Sequence, residues 1–190
     1  MLIIKKTVGM FGSAKDEIDR CFISEVEKLG ELLAEKDYTI YFGAGSTGLM
    51  GAIARGAKKK DGKLIGVVPN FMDNFEPIFE HCDTIITTKT MEARKSIIKN
   101  AVNSFIVCPG GIGTLDEFFE ILTDKYLKLH NKPIVLLNTN GYYDHIVKLI
   151  TEYVNQRFIG ERVMGLFSVA NTAEEAFEML KDNWRWFNEG

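Results

Sequence analysis

A chain of 190 residues, 46% apolar and 26% charged, has the size and composition of one soluble globular domain with a substantial core. Its net charge of −3 gives no electrostatic ground for a nucleic-acid partner. No apolar run approaches the roughly 20 residues that span a bilayer. Lys5 and Lys6 interrupt the N-terminal apolar stretch before a signal-peptide core forms. Cys21, Cys82 and Cys108 share no zinc-like or disulfide spacing, and His81, His130 and His145 form no ligand pattern. A cytoplasmic protein with no metal, no cofactor and no membrane partner is expected.

The first β-rich run, Thr7–Phe11, leads into Gly12 and Ser13. Ile18, Phe22, Val26, Leu29 and Leu33 then recur at steps of three and four, one buried face of a helix that lasts until Asp37. A second run, Tyr38–Phe42, opens into GAGSTGLMG (43–51) and a helix over 46–59. Lys58, Lys59 and Lys60 close that helix, where cations offset the macrodipole. Runs at Leu64–Val68 and Thr84–Thr87 precede TMEARK (90–95) and a helix over 89–101. The run Phe105–Cys108 leads into PGGIGT (109–114) and a helix over 114–129. Strands at Pro133–Leu137 and Leu166–Val169 and helices over 142–155 and 172–182 complete the pattern. Trp184, Trp186 and Phe187 in the tail are expected to dock on the body or on a second subunit.

Strands that alternate with helices and are apolar almost throughout predict a single α/β domain, a Rossmann-like doubly wound parallel sheet with helices on both faces. Ligands of such sheets bind beyond the carboxyl ends of the strands. The four unusual turns, at 12–13, 43–51, 90–95 and 109–114, all follow those ends and therefore share one edge.

Gly43, Gly45 and Gly48 match GxGxxG. The dinucleotide version of that motif expects an acidic residue at the end of the next strand, but that strand ends in Pro69-Asn70, which disfavours NAD. Backbone N–H groups at a helix start still suit a phosphate, while tight helix–sheet packing explains the glycines equally. Arg94 falls within the stripe Met91, Ile98, Ala101 and Val102. It must face the protein body and meet an anion, either a phosphate or a carboxylate, or else reach solvent. In PGGIGT the glycines free the backbone and Thr114 is read as the helix start. Thr114 and Glu117 have capping-box spacing, and Asp116 and Glu120 read as first-turn acids. The same dipole predicts an ionised Glu117, suited to stabilising developing positive charge or orienting water.

Taken together these motifs resemble the LOG ("Lonely guy") family of cytokinin riboside 5′-monophosphate phosphoribohydrolases. The family's PGGxGTxxE appears as Pro109 through Glu117, its RK motif as Arg94-Lys95, and its GGGSxGLMG turn as GAGSTGLMG. MFGSA, GVVP (66–69) and KPIVLLNTNGYYD (132–144) extend the likeness over most of the chain. The resemblance implies a homodimer with its site near the subunit interface. It also implies hydrolysis of a nucleoside 5′-monophosphate such as AMP or N6-modified AMP to base and ribose 5-phosphate. Arg94 and Glu117 match the catalytic pair. The substrate and phosphate contacts it implies are Gly12, Ser13, Gly45, Ser46, Thr47, Met91, Lys95, Gly110, Gly111, Ile112, Gly113, Thr114 and Glu120.

Two departures stand out. Ala44 replaces a glycine, which a negative φ would accommodate, and Glu92-Ala93 stand where plant-like members often have a histidine. The label lysine decarboxylase, common in the family, finds no pyridoxal-phosphate lysine motif here. The alternative reading is a non-enzymatic nucleotide or phosphate-ligand carrier on the same fold, like the molybdenum-cofactor carriers. Glu117 beside an anion argues against it.

Overall fold

The computed structural model describes residues 6–71 and 77–188, and of residues 181–188 the backbone alone. Seven strands form one sheet: β1 (Thr7–Phe11), β2 (Thr39–Phe42), β3 (Lys63–Pro69), β4 (Thr84–Thr88), β5 (Ser104–Val107), β6 (Ile134–Leu137) and β7 (Ser168–Ala170). Six helices accompany them: α1 (Arg20–Glu35), α2 (Gly48–Lys58), α3 (Met91–Ala101), α4 (Ile112–Tyr126), α5 (Asp144–Asn155) and α6 (Ala173–Asn188). The strand order is β4-β3-β2-β1-β5-β6-β7, and every pairing in it is parallel.

The central strands are buried on both faces, so period-two alternation sorts apolar residues to one face or the other rather than to core and solvent. Val8 and Met10 of β1 and Ile106 of β5 join Val26, Leu29, Ile53 and Phe177 in a core with α1, α2 and α6. Phe11, Phe105 and Val107 point the opposite way, into a core with Ile98 of α3, Phe118 of α4 and Ile150 of α5. Helices thus cover both faces, as the alternation predicts.

Chain order reverses at β1, whose neighbours are β2 and β5. Phe11 pairs with Val107, so the loops after β1 and β5 leave the sheet side by side at this switch point. α3 carries the chain from the β4 edge back to β5 and α4 follows β5 directly, which brings both helices over the switch point. Lys58 ends α2 with Lys59 and Lys60 just beyond, as expected, and each lysine meets a carboxylate. The side chains of Trp184, Trp186 and Phe187 lie outside the described residues.

Candidate active site

Beyond the carboxyl ends of β1, β3 and β5 lies a cavity of about 270 Å³, with Arg94 and Glu117 in its wall. Arg94 sits in the first turn of α3. Thr90 caps that helix, its hydroxyl accepting from the Ala93 N–H at 3.1 Å. The Arg94 side chain turns inward, as its place in the stripe requires. Its Nη1 donates to the Glu117 carboxylate at 2.8 Å and its Nε to the Val67 carbonyl at 3.1 Å. Neither side chain is more than 11% exposed. The third nitrogen, Nη2, lies over Gly43, where a Cβ would overlap it and stand 2.8 Å from Met50 Sδ. Gly43 therefore makes room for the guanidinium. The stripe itself is narrower than the spacing predicts: Ile98 and Val102 are buried, Ala101 is exposed, and Met91 is 39% exposed at the cavity wall.

The capping-box expectation is corrected. α4 begins at Ile112 with Gly111 as its N-cap, so Thr114 is already inside the helix. The Glu117 carboxylate reaches across to Arg94 instead of back along its own helix. The expectation that the dipole keeps Glu117 ionised also fails, because burial pushes its carboxyl up to about 7 against the opposing pull of Arg94. Near neutral pH its charged and neutral forms are therefore close in free energy, and a nearby charge shifts the balance.

The two glycine-rich helix starts differ. At α2, the Gly48 N–H donates to the Asp16 carboxylate at 2.8 Å and the Leu49 and Met50 N–H groups to the Ser13 carbonyl. Thr47 spends its hydroxyl on the Ala14 carbonyl. Loop 13–16 thus fills this helix start, and tight packing is the reason for Gly48, where a Cβ would stand 2.6–2.7 Å from the backbone of Ser13, Ala14 and Lys15. At α4, Leu115 is the first residue whose N–H returns to the chain, on the Gly111 carbonyl, and among the described residues no acceptor meets the N–H groups of Ile112, Gly113 and Thr114. A Cβ at Gly111 or Gly113 would meet open space. This is the helix start that presents free donors to an anion. Ala44, at φ +63°, is left-handed and fully buried, so the negative φ that would accommodate an alanine there is not the conformation it adopts.

Of the residues implied by the resemblance, Gly12, Ser13, Gly45, Met91, Arg94, Gly111, Gly113, Thr114 and Glu117 line the cavity. Gly110 sits behind it, in a smaller cleft beside Phe22 and Tyr142. Ser46 and Thr47 are not in the lining, and Ile112 is 88% exposed. Lys95 and Glu120 stand outside the lining in an ion ladder between α3 and α4. Lys95 meets Asp116 at 2.9 Å and Glu120 at 2.6 Å, and Lys99 meets Glu120 at 2.5 Å and Asp124 at 2.7 Å. The ladder ties together the two helices that carry Arg94 and Glu117. Lys15 also lines the cavity and was not legible from any motif. No group of three metal-ligating side chains occurs among the described residues, and none of their helices is long and apolar enough to cross a membrane.

A family model described as "Possible lysine decarboxylase" matches residues 50–180. A probable cytokinin riboside 5′-monophosphate phosphoribohydrolase of Oryza sativa subsp. japonica is 34% identical over 155 residues, covering 82% of this chain and 63% of the rice protein. The chain thus spans less than two thirds of that relative's length. A cytokinin riboside 5′-monophosphate phosphoribohydrolase of Mycobacterium tuberculosis is 33% identical over 149 residues, 78% of this chain and 80% of its own. Among solved structures, the molybdenum cofactor carrier protein of Chlamydomonas reinhardtii superposes with a TM-score of 0.75 at 26% identity, covering 96% of this chain and 99% of its own.

Proposed function

The chain belongs to the LOG family of phosphoribohydrolases, and from that premise we propose that it hydrolyses the N-glycosidic bond of AMP or an N6-modified AMP, releasing the base and ribose 5-phosphate. The observation that carries this reading is the buried Arg94–Glu117 pair beside the unfilled start of α4. The 5′-phosphate would take the N–H groups of residues 111–114 and the Thr114 hydroxyl, which carries no hydrogen bond among the described residues. The ribose would then lie over Glu117, one turn further along α4.

Glycosidic cleavage builds oxocarbenium-like charge on the sugar. The Glu117 carboxylate stabilises that charge and draws a proton from the attacking water. The water oxygen bonds C1′, and the C1′–N bond breaks with its electron pair leaving on the base. The base takes its proton from solvent, and Glu117 returns its own. Arg94, through its free Nη2, holds an anionic group of the substrate or polarises the base. A Schiff-base lysine needs desolvation, whereas Lys15 at the cavity is exposed, so the site offers no support for amino-acid decarboxylation.

The carrier reading is favoured by the Chlamydomonas neighbour, but a carrier has no use for a carboxylate facing its anionic cargo. Incubating purified protein with AMP and with N6-substituted AMP, and detecting free base and ribose 5-phosphate, decides between them. Release supports hydrolysis, and tight nucleotide binding without release supports the carrier. Met91, 39% exposed in the cavity lining, and Ile112, 88% exposed between the lining residues Gly111 and Gly113, support a homodimer closing over the site, which sedimentation equilibrium would test.

A further inference from the structure

The loop that precedes α4 has three successive carbonyls, and each is held by a different donor. Tyr143 donates its hydroxyl to the Cys108 carbonyl at 2.6 Å. The Ser13 N–H donates to the Pro109 carbonyl at 3.0 Å. Tyr142 donates its hydroxyl to the Gly110 carbonyl at 2.9 Å. The tyrosines themselves are fixed. The Tyr143 N–H meets the Asn138 side-chain oxygen at 2.6 Å, and the Asn138 amide donates to Asp144 at 2.8 Å. Tyr142 packs edge-on against Phe22 and Tyr143.

A trans peptide is planar, so the N–H of one residue points opposite to the carbonyl of the residue before it. Holding the Gly110 carbonyl therefore aims the Gly111 N–H. The Gly110–Gly111 peptide has no side chain on either flank to resist a flip, and a flip would turn a carbonyl oxygen where a donor is wanted. Tyr142 lies in the cleft behind the loop, while Gly111 faces both that cleft and the main cavity. A carbonyl pulled back toward Tyr142 sends its partner N–H forward into the cavity, beside the free donors of α4.

We propose that Tyr142 is a positioning residue for anion binding: its hydroxyl locks the Gly110–Gly111 peptide so that the Gly111 N–H joins the α4 start in receiving the substrate phosphate. This inference rests on the proposed phosphoribohydrolase reading for its ligand, but the lock itself does not depend on turnover.

The test is Tyr142→Phe, which removes one oxygen from a residue that is 43% exposed and leaves its packing in place. The expected result is a KM for AMP and a Kd for ribose 5-phosphate raised about three- to tenfold, the loss of one hydrogen bond, with kcat within about twofold and an unchanged pH profile. In the free protein, the Gly111 amide resonance should broaden by exchange in the variant and stay sharp in the wild type. An unperturbed Gly111 amide, or a loss confined to kcat, overturns the lock. A broadened Gly111 amide in a protein that hydrolyses no nucleoside monophosphate leaves the lock standing and removes the proposed activity.

Discussion

Glu117 is held between two opposing influences, burial that favours its neutral form and Arg94 at 2.8 Å that favours its charged form. Burial prevails, and the carboxyl titrates at about 7 instead of the ordinary 4.5. If the carboxylate is the working form, kcat/KM rises with pH through about 7 and levels off above it. The stability consequence has the reverse sign. Between 4.5 and about 7 the folded chain holds a proton that the unfolded chain has lost, so this group's contribution is complete below 4.5 and fades as pH rises through 7. Glu117→Gln should flatten that slope in urea titrations and lower turnover by about a hundredfold or more, with the fold retained. Gly43→Ala tests the other partner. A methyl group there overlaps the guanidinium, so activity should fall about tenfold or more while circular dichroism stays native. Arg94 was legible in the sequence because an arginine in an apolar stripe needs an anion. Gly43 stood out only as part of GxGxxG, and its role was hidden because it serves a side chain that arrives from α3.

At the level of elements, the two glycine-rich helix starts look alike in sequence and behave differently. GAGSTG is filled from loop 13–16, whereas PGGIGT is open. Nothing local to either motif distinguishes them, since the filling carboxylate, Asp16, comes from 32 residues away. Asp16→Ala should remove a cap and cost about 1 kcal/mol of stability in urea unfolding, with KM for AMP within about twofold of wild type. A large rise in KM would mean that α2 also holds phosphate. The start of α4 was misplaced for a related reason. Threonine is a good cap, but Gly111 in extended conformation takes that position and carries Thr114 into the first turn. The ion ladder beside it was invisible to single-helix reasoning, because Lys95 and Lys99 on α3 meet acids on α4. Glu120→Gln breaks two of its rungs. At partly exposed positions this should cost no more than about 1 kcal/mol, with a smaller effect in high salt.

For the molecule as a whole, the alternation of strands and helices fixed the class of fold, and the parallel sheet brought the unusual turns to one edge. Strand order was not in the pattern. It decides that the loops after β1 and β5 emerge together, so that Ser13 can hold Pro109 while Arg94 and Glu117 meet above them. The site is therefore assembled from segments far apart in the chain, and a ligand that binds it stabilises the whole fold by mass action. Ribose 5-phosphate at a hundred times its Kd should add about 2.7 kcal/mol. In a chain of 190 residues that amounts to an increase in Tm of about 5–10 °C. Free adenine, which has no phosphate for the start of α4, should give little shift. Asp16→Ala should keep the full increment from its lower starting point, because its cap lies at the filled helix start. Gly43→Ala should lose part of it, since a displaced guanidinium no longer faces the sugar phosphate. An equal increment in all three proteins would separate anion binding from Arg94 and place it on backbone donors alone.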